Sequence, residues 1–167
     1  MTSARPRTSV SVRPATEQEW VEVGLLTRTA YAAAGLGDEE YLAHVQDAAS
    51  RAAAALLLVA EADGRLVGTV TGASAGKPYA DIARDGEYEF RMLAVDPAFA
   101  GRGIATALVE ECDARARDAG AQKLVCSVED KNTAALNLYN RLGFVREPSR
   151  DWNPGPTLQL LVLQRQL

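Results

Sequence analysis

The stretch that decides the reading is residues 87–106, Glu87-Tyr-Glu-Phe-Arg-Met-Leu-Ala-Val-Asp-Pro-Ala-Phe-Ala-Gly-Arg-Gly-Ile-Ala-Thr106. It predicts a strand, a short connection and a glycine turn that opens a helix. Tyr88, Phe90 and Met92 alternate with Glu87, Glu89 and Arg91, the period of a half-buried strand. Leu93 then follows Met92 directly and Val95 keeps the new parity, so the apolar phase slips by one residue. A β-bulge produces such a slip; a strand buried on both faces at that end produces the same pattern. A bulge at Met92 and Leu93 is the expected cause. Beyond it, Gly101 and Gly103 let backbone amides approach a ligand closely, and the free N–H groups and positive dipole end of the following helix aim at the same place. That is an anion site, and phosphate is the anion it suits best.

Outward from this stretch, the chain of 167 residues is long enough to bury roughly 70 % of its unfolded surface as one domain, without a metal or disulfide staple. Its 47 % hydrophobic and 24 % charged residues place it among soluble globular proteins. A formal net charge of -4 argues against a nucleic-acid partner, which needs a clustered basic excess. Cys112 and Cys126 have no zinc spacing and read as buried free thiols. The first residues carry no signal-peptide core, and the longest apolar run, 52–60, is too short to span a bilayer. The expectation is a cytoplasmic protein with no membrane partner, disordered over residues 1–9 and forming a single domain over 10–167.

In chain order, residues 10–13 predict a short first strand closed by Pro14. Thr16 with Glu19 is a capping box, and Trp20, Val23, Leu26 and Ala30 form the stripe of a first helix reaching about Ala33. Asp38 caps a second helix. Residues 56–60 and 66–71, joined across Asp63-Gly64, predict a β-hairpin, and 73–85 a loop. After the opening strand comes a helix over about 102–119 with Ala105, Leu108, Val109, Cys112, Ala116 and Ala119 on one face. The strand at 123–128 should then lie parallel to the opening strand through a β-α-β crossover. Asn132 caps a last helix with Ala135, Leu138, Tyr139 and Leu142 along one face, ended by Gly143. A strand at 144–146, a loop at 148–156 containing Trp152 and a final strand at 157–164 complete the chain.

Strand, Gly-x-Gly, helix, strand and an acid at Glu129 also describe a dinucleotide-binding unit. That unit needs its fingerprint directly after the strand and a third glycine; here Asp96 to Ala100 intervene and Thr106 stands in the third place. Three motifs instead resemble the GNAT superfamily of N-acetyltransferases: Glu89-Phe-Arg-Met-Leu-Ala-Val-Asp-Pro97, Gly101-Arg-Gly-Ile-Ala105, and Asn132-Thr-Ala-Ala-Leu-Asn-Leu-Tyr139-Asn-Arg-Leu-Gly-Phe144. They match that family's fourth strand, acetyl-CoA signature and late helix in order and spacing. The resemblance is close over about residues 56–147. One departure is Ala100, where the family usually has Gln or Arg.

The resemblance implies an α/β (α+β) fold: a mixed, mostly antiparallel sheet of about six to seven strands with a bulged fourth strand and about four helices. It implies acetyl-CoA as cosubstrate, with amides of Gly101, Arg102, Gly103, Ile104, Ala105 and Thr106 on the pyrophosphate. Leu93, Ala94 and Val95 would meet the pantetheine arm, the Leu93 N–H facing the thioester carbonyl, and Asn132 and Ala135 would flank it. Tyr139 aligns with the tyrosine that protonates or hydrogen-bonds the departing thiolate, and Glu89 with a glutamate that takes the amine's proton, often through water; Glu87 is the fallback. Tyr31, Tyr41, His44 and Trp152 lie where the acceptor is bound, and Arg91, Lys131 and Arg141 are candidates for the CoA phosphates, Lys131 foremost. The expected activity is direct acetyl transfer through a tetrahedral intermediate to a small-molecule or peptide amine, with Cys112 and Cys126 unactivated as nucleophiles. The rival is a catalytically weak acyl-CoA-binding regulatory module. Homodimerisation, common in the family, is fixed by no sequence feature.

Overall fold

The structure, a computed structural model, describes residues 9–167. The disorder expected over 1–9 falls outside that range except at Ser9. The described residues form β1 (Ser11–Pro14), α1 (Trp20–Ala33), α2 (Glu39–Gln46), α3 (Ala48–Ala54), β2 (Leu56–Ala62), β3 (Arg65–Ser74), β4 (Glu87–Val95), α4 (Ile104–Asp118), β5 (Lys123–Glu129), α5 (Thr133–Arg141), β6 (Val145–Arg146), β7 (Trp152–Gly155) and β8 (Leu158–Gln166). One sheet holds the strands in the order β1-β2-β3-β4-β5-β8-β6, with β7 beside β8. Every pairing is antiparallel except β4 with β5, the pair that the crossover through α4 predicts.

Alternation along β2 shows why the sheet is covered on both sides. Leu58, Ala60 and Ala62 face a core shared with Leu108, Val109 and Cys112 of α4 and Tyr139 of α5. Leu57 and Val59 face Val23 of α1 and Ala48 of α3. Both faces being apolar, β2 reads as an unbroken hydrophobic run from Leu56 to Ala60. The same two-sided cover corrects the half-buried reading of β4, since Glu87 and Glu89 are buried along with Tyr88 and Phe90.

Local signals hold where they are chemical. Glu19 Oε1 accepts from the Thr16 amide at 2.9 Å in the capping box, and Asp38 accepts from Tyr41 N at 2.9 Å. Asp63 and Gly64 both take positive φ, as a tight hairpin turn requires. Two elements escape the sequence reading. Helix α3 is capped by Asp47, which accepts from Ser50 N at 3.1 Å; its alanines merge in sequence with the apolar strand that follows. Strand β7 lies inside the expected 148–156 loop, where Pro154 disguises a strand that pairs with β8 through Trp152 and Gly155. Helix α4 begins at Ile104 rather than near 102 because its cap, Gly103, sits at φ 81.

Gly68 of β3 is what lets α4 close on the sheet. A Cβ built there would stand 2.9 Å from Ile104 Cγ2 and 3.0 Å from Leu108 Cδ1. Gly68→Ala is therefore expected to destabilise the fold by roughly 1–3 kcal/mol through overpacking, read as a lower urea midpoint at unchanged slope.

Candidate active site

The phase slip in the opening stretch is a bulge. Thr69 pairs with Ala94 and Thr71 with Arg91, so Val70 alone of β3 faces Met92 and Leu93 of β4. Met92 takes φ 54, a left-handed conformation that an unbranched side chain adopts only at a cost. On its other edge β4 pairs with β5 only from Glu87 to Glu89, opposite Lys123 to Val125. From Phe90 onward the two parallel strands part, and that edge of β4 carries no ladder.

The parting opens a cleft of about 830 Å³. Phe90, Met92 and Leu93 line it from β4, Cys126 to Glu129 from β5, Asn132, Ala135 and Tyr139 from the α5 region, and Trp152 from β7. The structure brings Leu93, Asn132, Ala135 and Tyr139 to one space, and with them Tyr31, Tyr41, His44, Arg91 and Lys131. It does not bring Arg141 there. Ala94 is buried in the core, and Val95 packs half-buried against it.

Tyr139 is held by ring packing. Its centroid lies 5.5 Å from Phe90 and 5.6 Å from Phe144. Burial lifts the phenol well above its ordinary pKa, so the hydroxyl stays protonated. No protein group among the described residues hydrogen-bonds that hydroxyl. Asn132 Oδ1 accepts from Ala135 N at 3.1 Å, so Asn132 is the helix cap its position predicts as well as a wall of the cleft.

Glu87 and Glu89 lie on one face of β4 and meet opposite fates. Glu87 receives both guanidinium nitrogens of Arg150, at 2.8 and 2.9 Å, and the Arg84 amide at 2.9 Å. Burial raises its pKa, yet these donors outweigh burial and hold it below the ordinary carboxylate value. Glu89, 1 % exposed, accepts only from the Ile82 and Ala83 amides, at 2.8 and 2.9 Å. Burial dominates there and the pKa rises. With its oxygens occupied by Arg150 and the Arg84 amide and its pKa lowered, Glu87 is the poorer proton acceptor of the two. Glu89 is not on the cleft wall; it lies under the 75–86 loop, on the same strand face as Arg91, which lines the cleft.

The glycine turn stands apart from these walls and is exposed. Gly101 and Gly103 take φ 76 and 81, and a Cβ on either would meet no protein atom within 4 Å. The first turn of α4 has no side-chain cap, so its N–H groups are left for a ligand. Ile104 is buried in the core and offers only its amide, whereas Ala105 and Thr106 are half-buried. The Arg102 guanidinium rests 4.8 Å from the Phe99 ring centroid. Uncapped amides beneath open space fit a pyrophosphate.

Cys112 and Cys126 are buried free thiols, and burial pushes Cys112 up to about 12 and Cys126 well above the ordinary thiol value, so neither is an activated nucleophile. Arg150 and Asp81 were not legible as site residues. Ser127 and Glu129 carried a signal, as polar residues at period two in an otherwise apolar strand.

A sequence model of the acetyltransferase (GNAT) family matches residues 12–144. Among solved structures, the PaiA N-acetyltransferase of Thermoplasma acidophilum in complex with coenzyme A is similar at 16 % identity and TM-score 0.72, covering 95 % of this chain and 99 % of that one. The ribosomal-protein-alanine N-acetyltransferase of Brucella melitensis is similar at 23 % identity and TM-score 0.65, over 94 % and 99 %. The yncA protein of Salmonella typhimurium, solved with its cofactor acetyl-CoA, gives 22 %, TM-score 0.64, and 95 % and 94 %.

Proposed function

This chain belongs to the acetyltransferase (GNAT) family, whose cosubstrate is acetyl-CoA, and we propose that it passes the acetyl group directly to a primary amine through a tetrahedral intermediate. The observation that carries the reading is the gap beyond Glu89 and Val125, with the bulged, unladdered edge of β4 on one side and Tyr139 on the other. The cosubstrate supplies the electrophilic carbonyl and the sulfur leaving group; every other part of the reaction falls to this chain. The amides from Gly101 to Thr106, joined by Arg102, hold the pyrophosphate. Leu93, Ala94 and Val95 meet the pantetheine arm along the free edge, flanked by Asn132 and Ala135.

The amine nitrogen bonds to the carbonyl carbon, and the Leu93 N–H donates to the oxygen as it gains charge. Donors of this kind typically contribute about 3 kcal/mol to the transition state. The carbon–sulfur bond then breaks, its electron pair stays on sulfur, and the Tyr139 hydroxyl donates a hydrogen bond to the thiolate. A phenol whose pKa is raised acts here as a hydrogen-bond donor rather than a source of a free proton. The amine's proton passes through water to Glu89. Two neighbouring carboxylates with pKa values pushed apart supply the assignment, Glu87 structural and Glu89 the base. Residues 10–167 act in this as one domain, in a cytoplasmic setting that suits two reduced thiols. Among the described residues no helix is long and apolar enough to cross a membrane.

Thiol release from acetyl-CoA over a panel of amines tests the proposal. Release matched by N-acetyl product supports it. Binding of CoA with no turnover on any amine replaces it with the regulatory module, and failure to bind CoA overturns both. Ala100 is exposed beside the glycine turn, at a position where an added guanidinium can reach a phosphate. Ala100→Arg is expected to tighten CoA binding about fivefold, less at high salt, as calorimetry would show.

A further inference from the structure

The acceptor end of the cleft has an uneven charge inventory. Of the carboxylates that line it, Asp81 is engaged by Arg91 at 2.8 Å and Asp38 by the Tyr41 amide at 2.9 Å. Glu40 and Glu129 line the same space, and among the described residues neither is ion-paired or hydrogen-bonded through its side chain. The one guanidinium on the wall is therefore taken, and the remaining cation, Lys131, is exposed beside the α5 cap.

Aromatic rings complete this end. Tyr31 and Tyr41 lie 6.0 Å apart, Tyr41 and His44 6.1 Å, and His44 stacks on Tyr79 at 6.4 Å. Trp152 is fixed by its Nε1 donating to Ser127 Oγ at 3.1 Å. In β5 the residues Leu124, Cys126 and Val128 face the α4 core, so Ser127 and Glu129 face the other side of the sheet. Arg91 and Glu89 share that side, since Tyr88 and Phe90 of β4 belong to the same α4 core. Glu129 thus ends β5 among these rings, across the gap from β4.

We infer that the acceptor is an amine with no carboxylate beside its reacting nitrogen and with a flat or apolar stem, and that Glu129 sets this preference. The inference rests on the acetyl-transfer reading of the cleft. An ammonium is drawn to Glu129 and to ring faces before it gives up its proton. An α-amino acid brings a like charge to the same place, where Arg91 is taken by Asp81 and the remaining cation, Lys131, stands exposed to solvent at the α5 cap rather than among the rings.

Tyramine, tyrosinamide and tyrosine separate these cases, because they share a ring and differ in the group beside the amine. The measurements are thiol release and calorimetric binding of each compound to the CoA-bound protein. Tyramine is expected to exceed tyrosine in kcat/KM by on the order of 100-fold, with tyrosinamide close to tyramine. Glu129→Gln is expected to shrink the tyramine-to-tyrosine ratio about tenfold, mostly by improving tyrosine. Tyrosine used as well as tyramine, or a ratio unmoved by Glu129→Gln, overturns the inference and leaves acetyl transfer standing. Absence of turnover on all three overturns acetyl transfer to amines of this size; the binding order still decides the inference, tyramine tighter supporting it and equal or absent binding overturning it.

Discussion

Tyr139→Phe is expected to lower kcat by roughly 100-fold to 1,000-fold while leaving CoA affinity within about twofold, the loss that follows removal of a single donor to a developing anion. The ring stays in place because its packing on Phe90 and Phe144 needs no hydroxyl. Only the O–H changes, and no protein group among the described residues shares it. A leaving thiolate gains most from that donor as the carbon–sulfur bond opens, so the effect falls on kcat. Steady-state kinetics with a thiol-reactive dye, alongside calorimetry with CoA, separates the two quantities. An unchanged kcat would mean that Tyr139 is a core residue that only happens to line the cleft.

Glu89→Gln is the second large effect, a fall in kcat/KM of about 100-fold, within the range of a general base removed without loss of shape. Gln keeps an acceptor oxygen for the Ile82 and Ala83 amides, so the 75–86 loop retains its anchor. The wild-type profile should show an acid limb set by a carboxylate titrating above the ordinary 4.5, and the variant should lose that limb. Stability moves the other way. A carboxyl whose folded pKa is raised contributes stability below its unfolded value, and that contribution is lost as pH rises through the folded value. Above its folded value the charged Glu89 therefore weakens the fold relative to a neutral side chain, and Glu89→Gln should raise Tm in that range. The gain should vanish below about pH 4.5, where the wild-type carboxyl is neutral in both states. A variant that is slower yet more stable is a signature a purely structural carboxylate does not give.

What the sequence made legible follows from the range of each interaction. The bulge at Met92 and Leu93 showed itself as a slipped period because side-chain alternation is local, and Asn132 announced both a cap and a wall residue within four positions of chain. Glu87 and Glu89, by contrast, look alike in sequence. Their difference comes from Arg150, 63 residues away from Glu87, and from loop amides that fold over Glu89. Arg150 also donates to the Ile82 carbonyl at 2.6 Å, tying that loop to the strand. No local pattern encodes such a clamp. The missed α3 and β7 have a local cause instead, since the alanines of α3 run into the apolar strand that follows and Pro154 interrupts β7.

In the proposed mechanism the glycine turn holds the anion and the parted strands position the thioester. A crystal structure with acetyl-CoA tests that division most directly. The expected result is the pyrophosphate on the amides of Gly101 to Thr106, the arm paired along the free edge of β4, and the sulfur within about 3.5 Å of the Tyr139 hydroxyl. A thioester lying outside the gap between β4 and β5, with Tyr139 remote from sulfur, would contradict it.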